Sequence, residues 1–198
     1  MTARKLKTAV RKRQIAEAAL ALAATHGVRK LSMAAVSRRV GFVPSALYRH
    51  FKGKDEILDA ILDLIQEKFR RNIQAVREET PDPLKRLRSL LMRHIRMVRE
   101  NRGIPRVIFS EDYYNGRPRR RLRVYHVIRG YLVQVAGILR EGQKRGLVSG
   151  AFSPWTGAVM FLGLVQPSVI LWHMSGGEFD IAGQAERAWP VFLKAIRK

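Results

Sequence analysis

The stretch 31-LSMAAVSRRVGFVPSALYRHFKGK-54 decides how this chain is read. Ser32 is placed to cap a helix, because its hydroxyl can accept from the free backbone N–H groups one turn further on. Met33, Val36 and Val40 then recur at helical spacing and share a face. Gly41 interrupts them. Glycine takes positive φ without steric cost, which a tight turn between crossed helices requires. Phe42 plugs the turn, and Pro44 suits the first turn of a new helix, where its missing N–H costs nothing. Ala46, Leu47 and Phe51 can pack inward, leaving Ser45, Tyr48, Arg49 and His50 outward. Hydroxyl, phenol, guanidinium and imidazole groups can all donate to phosphates or base edges. The pattern reads as a helix-turn-helix over residues 32–51, with its second helix offered to a DNA groove.

The distribution of charge points the same way. The chain carries 38 Lys and Arg against 16 Asp and Glu, a formal net charge of +22. Residues 1–53 hold 12 basic residues and one Glu, or +11, while the other 145 residues hold 26 and 15, also +11. Half of the excess therefore lies in about a quarter of the chain. Such a concentration attracts a polyanion with an affinity that falls steeply as salt rises. A solubilising surface does not need so large an excess, although an acidic membrane would attract the same charge.

The same stretch resembles the TetR family of bacterial regulators. The resemblance rests on Val40-Gly41, the run Leu47-Tyr48-Arg49-His50-Phe51, and Lys54-Asp55 followed by Ile57-Leu58, and it is specific over residues 11–69. It implies an all-α protein of about nine helices. A three-helix DNA-binding domain would occupy residues 9–69, and a helical regulatory and dimerisation domain residues 70–198. By the same resemblance Pro44, Ser45 and Ala46 face bases and Tyr48, His50 and Lys54 grip phosphate; the reading of the residues themselves adds Ser32, the helix cap, and outward-facing Arg49 to the DNA face. The chain departs from the family at Val43, where Ser or Thr usually caps the helix and touches phosphate, and at Ser45, where Gly is common.

Outward from this motif, residues 1–7 read as a loose basic arm and residues 8–26 as a first helix closed by Gly27. After Gly53, Asp55 and Glu56 complement the dipole of a fourth helix that runs to Glu79. Asp82 and Pro83 open a fifth helix, to Asn101, and residues 104–112 a short sixth. The turn Asn115-Gly116-Arg117-Pro118 precedes a seventh over residues 119–145, with Leu122, Tyr125, Leu132, Val135 and Leu139 on one side. Ser153 and Pro154 open an eighth helix, which Pro167 kinks before Met174, and the last covers residues 181–196. Residues 155–174 carry no charge and are long enough to span a bilayer, but Gln166 and Pro167 at the centre and the lack of a second such segment favour a buried helix in a cytoplasmic protein.

The last two helices carry more apolar surface than a small monomer can hide. Val159, Leu162, Trp189 and Phe192 are the expected contacts of a twofold partner, and in the family these helices pair as a four-helix bundle. A homodimer would present two recognition helices to a near-palindromic double-stranded operator. The resemblance also implies a pocket for a small-molecule effector among the fifth to eighth helices. By residue type its candidates are Met92, Met97, Phe109, Tyr125, Tyr131, Met160 and Gln166. No cofactor is implied. The five histidines fall on separate segments, no cysteine is present, and no Walker, GxSxG or dinucleotide fingerprint occurs, which argues against an enzyme. The reading is a ligand-responsive repressor; its rival is a basic protein that binds DNA without regard to sequence.

Overall fold

A computed structural model describes residues 3–111 and 118–198. Among the described residues the chain forms nine helices: α1 (Ala3–His26), α2 (Met33–Val40), α3 (Pro44–Tyr48), α4 (Lys54–Glu79), α5 (Pro83–Glu100), α6 (Gly103–Ile108), α7 (Pro118–Lys144), α8 (Pro154–Met174) and α9 (Ile181–Ile196). They contain no strand, only an isolated antiparallel bridge between Val148 and Arg197. The all-α architecture expected from the sequence is the one observed.

The helices fall into two compact units that do not follow chain order. The first comprises Met1–Glu67 and Asn101–Val127, the second Lys68–Glu100 and Ile128–Lys198. The sequence boundary at residue 69 lies close to the cut within α4, but nothing local announces that α6 and the start of α7 return to the first unit.

In the first unit α1 ends where Gly27 adopts φ 78°, with its N–H on the Ala23 carbonyl. It begins at Ala3 and not at Thr8. Residues 3–7 contain neither Gly nor Pro, so nothing stops the helix from extending. α6 packs on α1 so closely that a Cβ at Gly103 would strike the Leu20 carbonyl. α6 ends at Ile108, short of the expected Asp112, which lies outside the described residues together with Asn115, Gly116 and Arg117. The early turns of α7 bury Val124 and Val127 and leave Leu122 and Tyr125 exposed. This corrects the apolar face expected for that helix. At this rotation Val124 and Val127 are buried while Arg120 donates to Asp55 at 2.7 Å and Arg123 to Asp59 at 3.0 Å and to Asp63, so apolar burial and ion pairing with α4 agree.

The second unit is built from the end of α4, α5, the rest of α7, α8 and α9. Asp82 caps α5 through Leu84 and Lys85, and Ser153 caps α8 through Thr156. α8 is the one helix among the described residues long and apolar enough to cross a membrane. It buries Phe161, Val165, Val169 and Trp172 in this unit's core. Pro167 is accommodated within the helix, as is Pro190 within α9. Trp189 and Phe192, expected at a partner's surface, are buried in their own chain, where both rings meet each other and Phe192 meets Phe161 edge-on at 5.9 Å. Val159 remains exposed and Leu162 half-buried.

Candidate nucleic-acid interface

The helix-turn-helix is assembled by local bonds that the residue types require. The Ser32 hydroxyl accepts from the Ala35 N–H at 3.1 Å and caps α2. Gly41 adopts φ 70°, and the Phe42 N–H reaches the Ser37 carbonyl at 2.9 Å. The Ser37 hydroxyl, buried, donates back to the Phe42 carbonyl. Sequence reasoning missed this clasp; its signal is a Ser on the inner face of α2, where an apolar residue would otherwise stand. α3 has only five residues and would not persist alone. Leu47, fully buried, and Phe51 anchor it and its exit.

This anchoring turns four of the neighbouring residues outward. Pro44, Ser45, Tyr48 and Arg49 are exposed, as is Val43, which caps α3 by position but offers no side-chain bond. Ala46, expected both to pack inward and to face bases, is half-buried. His50, expected outward, is instead half-buried, and its Nδ1 is enclosed without a hydrogen-bond partner among the described residues. Lys54 opens α4, with its Nζ 3.5 Å from the Arg29 carbonyl, and Glu56 accepts from the Lys52 N–H at 2.9 Å. Two basic residues of α1 join the motif by cation–π contact: Arg11 over Phe42 at 5.5 Å and Lys12 over Phe51 at 5.4 Å. They were not singled out from the sequence. A cleft of about 430 Å³ on the same unit is lined by Lys30, Arg38 and Arg39 over Leu22 and Leu31. It contains none of the expected effector contacts.

Those contacts are divided by the fold. Met97 and Tyr131 are buried in the second unit, near one aromatic cluster. Phe69 stacks on Tyr131 at 4.6 Å and meets His94 edge-on at 5.2 Å, while His94 Nδ1 lies 3.1 Å from the Tyr131 hydroxyl. Asn72 reaches Met97 Sδ at 3.8 Å. Burial lowers the His94 pKa to about 4 and pushes the Tyr131 phenol well above its usual range. His94 is therefore neutral at physiological pH, a buried polar group that sequence reading left out. Met92 and Gln166 are half-buried. Phe109, Tyr125 and Met160 are exposed, which removes them from an enclosed pocket; Phe109 and Tyr125 belong to the first unit.

A recognition segment held outward on a basic helix-turn-helix, with a separate helical body, defines a DNA-binding regulator. Residues 15–61 match the model for bacterial regulatory proteins of the tetR family, and residues 55–195 match that for the C-terminal region of YsiA-like proteins. The chain belongs to the TetR family of transcriptional regulators, which are not enzymes. Among its relatives, the nucleoid occlusion factor SlmA of Vibrio vulnificus (strain YJ016) is 25% identical over 176 residues, 89% of this chain and 90% of that protein. The fold is similar to that of the fatty acid degradation regulator FadR from Bacillus halodurans, with a TM-score of 0.79 and 22% identity over 92% of this chain and 94% of that one. It is also similar to the transcriptional regulator FadR from Bacillus subtilis in complex with stearoyl-CoA, with a TM-score of 0.78 and 20% identity over 93% and 98%.

Proposed function

We propose that the protein is a cytoplasmic, homodimeric repressor that binds a near-palindromic operator and is released by a small-molecule effector. The observation that carries this reading is the recognition segment, which buried Leu47 anchors so that Pro44, Ser45, Tyr48 and Arg49 stand exposed. Pro44, Ser45 and Ala46 would meet base edges; Tyr48, His50 and Lys54 would hold phosphates, with Ser32 and Arg49 flanking them. DNA gripping stays with residues 9–69, braced by α6 and the start of α7, and regulation with residues 70–198.

The second copy is argued from α8. Trp155, Val159, Met160, Ile170, Leu171 and Met174 are all exposed on it, and apolar residues in such a row are rarely left in water. Val191 of the neighbouring α9 is exposed as well. A second copy meeting this face across a twofold axis would cover it and space two recognition helices for a palindrome. An apolar effector with a polar group suits the surroundings of His94, Tyr131 and Met97. The stearoyl-CoA bound by the similar B. subtilis regulator has that character. A coupling of about 1–3 kcal/mol between effector and DNA would change occupancy about tenfold or more.

The test is affinity at physiological salt for palindromes upstream of the protein's own gene, compared with random DNA of equal length. Preference for one of them by a factor of about a thousand or more is expected for a specific regulator. Equal affinity would defeat the reading and leave the sequence-blind alternative.

A further inference from the structure

Acidic residues are scarce in this chain, yet Asp55, Asp59 and Asp63 recur every four residues on one face of α4. Two arginines of α7 meet that face. Arg120 donates to Asp55 at 2.7 Å, and Arg123 donates to Asp59 and Asp63 together. The Arg120 side chain is only 11% exposed. Asp55 directly follows Lys54, in the turn of α4 that adjoins the recognition segment. We propose that Arg120 and Arg123 are positioning residues for DNA binding, a latch that fixes the start of α4 and with it Lys54 and the segment before it.

The proposal rests on the DNA-binding reading given above. The simpler account, that acids at a helix start only complement its dipole, fits Asp55. It does not fit Asp59 and Asp63, because the dipole effect fades beyond the first turn. Arginine is suited to the task, since its planar fork can hold two carboxylate oxygens in a set geometry, as the bridge from Arg123 to two aspartates does. The two arginines also offset part of the charge of three aspartates on the helix that Lys54 opens, charge that would otherwise repel a polyanion.

The experiment measures operator affinity and its salt dependence for the full chain, for Arg120→Lys/Arg123→Lys, and for the cycle formed by Arg120→Lys, Asp55→Asn and both together. The lysine pair keeps the charge and loses the fork. It is expected to bind about tenfold more weakly, with the salt slope unchanged. Arg120→Lys and Asp55→Asn are expected to couple by about threefold or more. Wild-type affinity in the lysine pair, or losses that simply multiply, would overturn the latch. If the lysine pair does not fold, Asp63→Ala, which removes only the outermost bond, is read instead: a few-fold loss supports the latch and none overturns it. A wild-type chain that ignores its own promoter defeats the DNA reading, whereas one that binds while the variants bind equally defeats only the latch.

Discussion

Helices α3 and α8 leave side chains in water in opposite ways. α3 has five residues, buries one of them deeply and exposes groups that can donate hydrogen bonds. α8 has 21 residues and is apolar around its circumference; it buries one row and leaves another, also apolar, exposed. The difference separates two kinds of exposure. Polar exposure on a helix too short to stand alone has to be held in place, and that points to a ligand. Apolar exposure along a long helix points to a covering partner.

The largest expected effect breaks the α8 side of this contrast. Val159→Glu with Leu171→Glu would put two carboxylates into the proposed dimer contact. Burying unpaired charges costs several kcal/mol, so the dimer dissociation constant should rise at least about a hundredfold, measured by sedimentation. Unchanged association would mean that another surface joins the copies. On the α3 side, Leu47→Ala removes the buried anchor. A loss of about 2–5 kcal/mol is expected in denaturant unfolding of the first unit, together with operator binding. Binding that survives intact would show that α3 needs no such anchor.

A smaller effect sharpens the comparison by asking what the body hides. His94 titrates near 6.5 when unfolded and at about 4 in the fold, where burial disfavours its charge. Between those values the unfolded chain holds the extra proton, so this contribution is intact above about pH 6.5 and is lost as pH falls towards 4. The loss is on the order of 3 kcal/mol at most. His94→Gln should flatten that part of the stability profile, and a profile that keeps its slope would assign the titration elsewhere.

The sequence made the recognition motif legible because its signals are local. Ser32, Gly41 and Pro44 each act on the backbone within one turn, and each is found in the role its chemistry suggests. Val43 likewise fails to cap, as a side chain without oxygen must. Non-local features were harder to read. The start of α7 meets partners about 60 residues earlier in the chain, which its own periodicity does not reveal, so Leu122 and Tyr125 were assigned to the wrong face. Periodicity places Trp189 and Phe192 on an inner stripe, but it does not say whether that stripe lies within one chain or between two. His94 was weighed only as one of five scattered histidines, because a histidine within an apolar repeat carries no local sign of what it meets.

The division of the chain has a practical consequence. Because the first unit takes in Asn101–Val127 as well as Met1–Glu67, its apolar core includes Ile104, Val107, Val124 and Val127. A gene fragment cut at residue 69 would therefore express a head missing part of its own interior. Anyone grafting this head onto another regulator's body would have to carry both segments across.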